Sequence, residues 1–348
     1  MRKGGKMQMV RKELIIITLF SILFISCQKN GKWRHSEGET QGTTYHITYL
    51  SEKELGKEIE DELERFGRSL NLFDSTSTIT KVNKGRRTYV GNDTLFVNVI
   101  RRSKEISELT NGAFDITVSP LVKLWGFNHA ALPKKVTEKT VDSVRTLVGW
   151  NKIILRDGWI EKADDRIEID ANAIAQGYTC DIIADLLEQN GVHDYLIEIG
   201  GEIRASGCNK RNAPWRVGIN RPVFDTLAMN EEIAAVVELP DISIGTSGNY
   251  HKFHKVDGHM IGHEINPHTG YPELNDILSA SVIASDGMTA DALATASMIM
   301  GAKKALELCE RLQGVEAYLI ILDEAGKENI RMTSGMKKYL KEEKINTK

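Results

Sequence analysis

Between residues 152 and 284 the sequence sets short β-type runs one after another, at 152–155, 166–170, 195–199, 215–220, 234–239, 260–265 and 279–284. Only one helical stretch interrupts them, at 173–188, closed by Asn190-Gly191. A doubly wound parallel sheet needs a helix after almost every strand, so this order excludes it and points to an α+β fold. A further strand is expected over 43–50. Helical periodicity starts after Ser51, with Leu55, Ile59, Leu63, Phe66 and Leu70 at steps of three or four. It recurs over 94–109, ending at Asn111-Gly112, from near Thr137 to before Gly149, and over 289–300 and 302–312. No Pro/Gly/Ser linker divides the body, which reads as a single compact unit of two lobes.

The N-terminus is set apart. Arg2, Lys3, Lys6, Arg11 and Lys12 precede an apolar run at 14–25. Its twelve residues fall short of the roughly 20 that cross a bilayer, so 1–26 reads as a signal peptide. Ser26-Cys27 closes the run and resembles a lipobox, with Phe24 where Leu is usual; the alternative is a plain signal peptide with an incidental cysteine. The expected organisation is a leader at 1–26, a polar tether at 27–39 lipid-anchored through Cys27, and a folded domain at 40–340. A periplasm-facing membrane lipoprotein of the cell envelope follows from that.

Across 348 residues, 45 Lys+Arg stand against 48 Asp+Glu, a net charge of -3. That balance excludes a nucleic-acid binder working through a basic face. Losing the basic leader makes the body more acidic still, so any phosphate site must find its positive charge in a metal ion or in backbone N–H groups. Cys180, Cys208 and Cys309 are widely spaced with no CxxC pair, which leaves neither a disulfide framework nor a zinc ribbon. Neither GxGxxG nor GxxxxGK[ST] occurs.

Inside the apolar helical stretch 289–298 stands one acid, Asp291, with Thr295 four residues on and so on the same face. A buried carboxylate needs a cation or several donors to offset its desolvation. Asp and Thr oxygens are hard donors that suit Mg²⁺; the bland reading is a carboxylate facing the helix dipole, with Asp286 or Thr289 as cap. The small-residue junction from Asp170 through Asn172, Ala173 and Gln176 to Gly177 lets a ligand approach free helix-start N–H groups, or else Asp170 or Asn172 is simply an N-cap. His251, His254, His259, His263 and His268 crowd together without an HExxH helix. His263 precedes the turn Asn266-Pro267-His268-Thr269-Gly270, which presents it at a strand end as a general base would be; most of the others read as surface histidines. Thr246-Ser247-Gly248 ends a strand and either offers hydroxyl and N–H donors or only turns the chain.

Six blocks in order carry a resemblance: 112–127 (GAFDITVSPLVKLWGF), 170–177 (DANAIAQG), 199–202 (IGGE), 246–250 (TSGNY), 263–270 (HEINPHTG) and 290–296 (ADALATA). Over about residues 40–322 the chain resembles the ApbE family, whose members are FAD:protein FMN transferases, many of them envelope lipoproteins. The resemblance implies an ApbE-like, T-fold-like arrangement of mixed sheets packed with helices. It also implies Mg²⁺-dependent transfer of the FMN phosphoryl moiety from FAD to a Thr or Ser hydroxyl of an acceptor protein, with release of AMP. The family's usual acceptors are subunits of respiratory-type membrane complexes. By position in the motifs, Asp291, Thr295 and the backbone carbonyl of Ala173 match metal ligands. Gln41, Phe73, Ala113, Phe114, Asp115, Asp170, Gln176 and Ile265 match FAD contacts, Thr246, Ser247 and Gly248 line the same cleft, and His263 matches the base that assists the attacking hydroxyl. The chain departs from the common pattern at Gln41, where Met is frequent, at Gln176, where Lys is frequent, and at Asn172-Ala173, where a glycine pair is often seen. Two competing functions remain in view: an FAD pyrophosphatase giving FMN and AMP, and a flavin-binding lipoprotein without chemistry. An aromatic Phe73 weighs against the first and an intact His263 against the second.

Overall fold

The structure is a computed structural model describing residues 31–127, 135–222, 232–248, 253–256 and 259–341. The expected leader, Cys27, the first tether residues, Asn249, Tyr250 and His251 lie outside the described residues. The chain opens with β1 (Lys32–Thr40), β2 (Thr43–Ser51), α1 (Gly56–Leu70), α2 (Thr78–Lys84), β3 (Arg87–Tyr89) and α3 (Thr94–Leu109). Then come α4 (Ser119–Leu124), α5 (Glu138–Arg145), β4 (Ile153–Arg156), β5 (Trp159–Lys162), α6 (Asn172–Gln189), β6 (Tyr195–Ile199), β7 (Glu202–Ser206), β8 (Trp215–Asn220) and β9 (Ile233–Leu239). The last part holds β10 (Ile242–Gly248), β11 (Phe253–Val256), β12 (His259–Gly262), β13 (Ile277–Ala284), α7 (Gly287–Met300), α8 (Ala302–Arg311), β14 (Glu316–Leu322), β15 (Glu328–Met332) and β16 (Leu340–Lys341).

Eight strands form one sheet in the order β1-β2-β6-β7-β10-β13-β14-β15, and every pairing in it is antiparallel. Smaller sheets, β16-β9-β8 and β3-β5-β4, accompany it, with a β11-β12 ribbon. The fold is α+β. Alternation along each strand divides the large sheet's two faces. On β14, Ala317, Leu319 and Ile321 pack with the helices, while Tyr318 and Ile320 join Val217, Val237 and Leu239 of the small sheet. Both faces are therefore buried, and helices, large sheet and small sheet stack as layers.

Missing side chains set the helix positions. A Cβ added to Gly177 of α6 would stand 2.1 Å from the Gly287 carbonyl oxygen of α7, and one on Gly287 would stand 2.3 Å from Gly177 O. A Cβ on Gly245 of β10 would stand 2.6 Å from Asp291 N. The backbones of α6, α7 and β10 thus touch where any larger residue would separate them. Asp181 of α6 fastens the same junction by accepting hydrogen bonds from Gly287 N at 2.7 Å and Met288 N at 2.9 Å, the open amides of the α7 start.

Two expectations are corrected. Residues 27–39 read as a tether, yet from Lys32 the chain is an edge strand paired with β2 along its length and closed by Gln41-Gly42. Both turn residues have positive φ, 52° and 75°, as a two-residue hairpin of this hand requires. The strand's polar composition belongs to an open edge rather than to a spacer. Residues 166–170 read as a strand, but the structure leaves them irregular. Their backbone groups are served by side chains instead, Ile169 N and O by Asn83 at 2.7 and 2.9 Å and Ile167 O by Lys162 at 2.7 Å.

Candidate active site

Asp291 and Thr295 lie one turn apart on α7, which is buried along most of its length. Asp286 caps this helix through Thr289 N at 2.8 Å, so Asp291 is not needed as a cap. Its side chain is 3% exposed. Oδ2 accepts a hydrogen bond from Gly177 N at 3.0 Å; in a regular helix that amide serves the carbonyl four residues back, Ala173, and Asp291 competes with it for the donor. Thr295 Oγ1 and Ser247 Oγ of β10 stand 2.9 Å apart. Burial pushes the Asp291 carboxyl up to about 7, helped by the charges of Glu264 and Asp181 and opposed by the Gly177 amide. Glu202 is buried beside it at the start of β7, and burial followed by the Asp291 charge holds its carboxyl well above the usual range. Its Oε2 is 3.4 Å from Thr246 N.

Loops build the facing wall. Asp115 caps the short 3-10 turn Ile116–Val118: Oδ1 accepts from Thr117 N at 2.8 Å and Thr117 Oγ1 at 2.6 Å, and Oδ2 from Trp150 N at 2.8 Å. Burial pushes this carboxyl up as well, against those hydrogen bonds. Asp170 N donates to Ile116 O at 2.7 Å, tying the two loop segments together. Asp170 Oδ1 accepts from Asn172 N at 2.9 Å and closes the first α6 amide, while the N-cap residue Ala171 contributes no side chain. His263 follows β12. Its Nε2 is 3.3 Å from Glu264 Oε1, and its buried Nδ1 has no hydrogen-bond partner among the described residues. The turn after it is held by Asn266, whose Oδ1 accepts from His268 N at 2.9 Å and whose carbonyl accepts from Gly270 N at 2.8 Å.

The walls enclose a cleft of about 290 Å³ lined by Ala113, Phe114, Asp115, Asp170, Ala173, Gln176, Thr246, Ser247, Gly248, His263, Ile265, Asp291 and Thr295. Residues as far apart in sequence as Ala113 and Thr295 thus share one space, each of them singled out by the sequence. Two expected contacts stand elsewhere. Phe73, 68% exposed, lines a neighbouring hollow of about 370 Å³ with Leu72, Thr80, Asn83, Lys84, Ser119, Lys123 and Glu168. Gln41 sits at the hairpin tip and donates from Nε2 to Thr179 Oγ1 of α6 at 2.7 Å. The cleft also holds Glu202, Glu264, Val118, Val122 and Phe127, which the sequence reading did not place there. Glu202 and Glu264 fall inside recognisable motifs, so a carboxylate beside two glycines and another beside the histidine were the available signals. A larger hollow of about 700 Å³ between α3 and β4 contains none of these groups.

The donor chemistry suits a hard divalent cation. Among the described residues no group of three or more His, Cys, Asp or Glu side chains is placed to hold a metal, so a softer zinc-type site is not formed. What the cleft offers instead is an acid, a hydroxyl and a helix-start carbonyl. Carboxyls driven towards protonation by burial and by one another are the state a bound cation would relieve.

A model of the ApbE family matches residues 41–319. The chain belongs to the ApbE family. An FAD:protein FMN transferase of Vibrio cholerae is 33% identical over 324 residues, 90% of this chain and 95% of that protein. One of Haemophilus influenzae is 32% identical over 326 residues, 90% and 93% of the two chains. Among solved structures, the flavin transferase ApbE from Vibrio cholerae superposes with a TM-score of 0.79 at 30% identity, covering 89% of this chain and 100% of that one. The ApbE protein from Thermotoga maritima does so with a TM-score of 0.77 at 25% identity, covering 89% and 100%. Both walls of the cleft are drawn from the ApbE blocks read in the sequence.

Proposed function

We propose that this ApbE chain is an FAD:protein FMN transferase that moves the FMN phosphoryl group of FAD to a Thr or Ser hydroxyl of an acceptor protein and releases AMP. One observation carries the reading: a buried acid, Asp291, and the Thr295 hydroxyl one turn on share a cleft with the α6 start and with His263. Asp291, Thr295 and the Ala173 carbonyl would hold Mg²⁺, which supplies charge neutralisation for the pyrophosphate.

The protein's own groups do the rest. The Nε2 of His263 faces the Glu264 carboxylate at 3.3 Å, which orients the imidazole in the cleft. His263 takes the proton of the acceptor hydroxyl. The freed oxygen forms a bond to the FMN-side phosphorus, the bond from that phosphorus to the bridging oxygen breaks, and AMP departs carrying that oxygen. Positioning and charge stabilisation account for most of such a reaction, and close-packed α6, α7 and β10 supply the positioning. Phe73 in the adjoining hollow extends the surface towards a ring of the dinucleotide. Gln41, Ala113, Phe114, Asp170, Gln176, Thr246, Ser247, Gly248 and Ile265 serve as further FAD contacts. The acceptor is a flavinylated subunit of a respiratory-type membrane complex, met on the periplasmic face by a chain anchored through Cys27.

The test incubates the protein with FAD, Mg²⁺ and a Thr-bearing acceptor polypeptide and follows both flavin fluorescence on the polypeptide and AMP. Labelled polypeptide with AMP in equal amount is expected, and Asp291→Ala should reduce the rate at least about 100-fold. AMP without label would replace the transferase by a pyrophosphatase; neither product would reduce the protein to a binder.

A further inference from the structure

Segment 167–170 carries Asp170 into the cleft and leads directly into α6, yet it belongs to no strand. Each of its residues is gripped by a different part of the molecule. Ile167 O accepts from Lys162 Nζ at 2.7 Å. The Glu168 carboxylate takes Lys123 Nζ and stands 3.3 Å from Ser119 Oγ. Ile169 donates to Asn83 Oδ1 at 2.7 Å and accepts from Asn83 Nδ2 at 2.9 Å, as it would with a neighbouring strand. Asp170 N donates to Ile116 O at 2.7 Å.

Lys162 is the least expected of these groups, because it is 1% exposed and, among the described residues, its ammonium hydrogen-bonds to main-chain carbonyls: Ile167 O, Asn83 O at 2.8 Å and Asp165 O at 3.0 Å. Burying an ammonium is costly, and an apolar residue would suit a merely structural site better. Its hydrogen bonds join the end of α2, the 163–166 turn and the segment into one body. Lys162 lines neither the cleft nor the Phe73 hollow, whereas Asn83 lines the hollow.

We propose that Lys162 and Asn83 are positioning residues for the dinucleotide site: they replace an absent strand, and so fix Asp170 and the first turn of α6 relative to the Phe73 hollow. The part concerning FAD rests on the transferase reading. Backbone groups inside a protein must be paired, and here the pairing is delegated to two side chains, of which Lys162 lies outside both the cleft and the hollow.

The experiment uses the whole protein, with Asn83→Asp, which keeps the acceptor for Ile169 N but loses the donor, and Lys162→Met. A control, Val237→Ala, lowers Tm from the far side of the large sheet. Hydrogen exchange over 167–177 and FAD affinity by flavin fluorescence are measured in each. Both clamp variants should exchange that segment at least tenfold faster and bind FAD about tenfold more weakly, as loss of supporting contacts around a site commonly does. The control should change neither. Unchanged exchange in Asn83→Asp overturns the clamp, and so does an FAD affinity no lower than that of the control. If Lys162→Met does not fold, Asn83→Asp decides alone. A wild-type protein that binds no FAD would sink the transferase reading, and the exchange arm would still decide whether the two side chains hold the segment.

Discussion

The wall of the cleft made by α6, α7 and β10 owes its geometry to side chains that are absent, whereas the facing wall, made by 113–118 and 167–170, owes its geometry to side chains that stand in for absent strands. On the first wall, glycines at 177, 245 and 287 let backbones meet within 3 Å of where a Cβ would lie. On the second, Asp115, Asn83 and Lys162 each serve two or more backbone or hydroxyl groups. Close packing is unforgiving and cooperative, since one methyl group has nowhere to go. A hydrogen-bonded loop fails in increments, one bond at a time.

The sharpest way to break the first wall is Gly177→Ala. The added methyl would stand 2.1 Å from Gly287 O and 2.7 Å from Asp291 Cβ. Because both obstacles belong to a packed helix, relief requires α6 and α7 to separate, at a cost of about 3 kcal/mol or more. Thermal unfolding should show a Tm drop of several degrees, and the residual folded protein should lose the magnesium affinity proposed for the cleft, because Asp291 moves with α7. A variant as stable as the wild type would show that the two helices can part without loss, and that their close approach is not what holds the wall.

The first wall was legible in the sequence for the same reason that it is fragile. An apolar stretch of small residues with one acid inside can be read as a buried helix, which singles out Asp291 with Thr295 on the same face; the pattern alone leaves a metal pair and a dipole-facing carboxylate both open, and the family resemblance chose the first. Segment 166–170 misleads because its alternation of Ile167 and Ile169 with charged neighbours is that of a strand. Periodicity shows which side chains are buried but not what pairs the backbone, and Asn83 lies 86 residues away from Ile169. β14 escapes notice because burial of both faces removes the alternation, and β1 because an open edge tolerates polar residues. That Gln41 and Phe73 stand beside the cleft rather than in it depends on chain packing that no local pattern encodes.

A subtler probe of the first wall is its pH dependence at Asp181, which ties α6 to the start of α7. Two amides and the Arg204 guanidinium, 3.3 Å away, favour the ionised carboxyl, but burial outweighs them and pushes it up to about 7. Across the pair, Asp181, with Tyr195 and Glu188, holds the Arg204 guanidinium up against its own desolvation. A carboxyl whose folded value lies above its unfolded value of about 4 binds its proton more tightly in the native state. Its stabilisation is complete below pH 4 and is lost as pH rises through about 7, with a slope of at most about 1.4 kcal/mol per pH unit. Denaturant titrations between pH 4 and 8 should therefore give a steeper fall for the wild type than for Asp181→Asn, the difference isolating this group from Asp291, Glu202 and Asp115. The opposite sign would mean that the amides and Arg204 prevail over burial.

The smallest effect expected lies on the loop wall, at Asp115, and it separates scaffold from ligand contact. Both carboxylate oxygens are already engaged, one by Thr117 and the other by Trp150 N. Asp115→Asn keeps an acceptor for Thr117 but turns an amide donor towards Trp150 N, a loss of about 1 kcal/mol. Thr117→Val removes the hydroxyl that donates to Asp115 at 2.6 Å and accepts from Gly149 N at 2.7 Å, and it loosens the same turn without altering any acid. If Asp115 acts on the dinucleotide only by holding the turn, the two substitutions should weaken FAD binding by factors within about threefold of each other, a difference of roughly 0.7 kcal/mol. A loss confined to Asp115→Asn would instead make its carboxylate a direct contact, through the acceptor capacity left on Oδ2 beside Trp150 N.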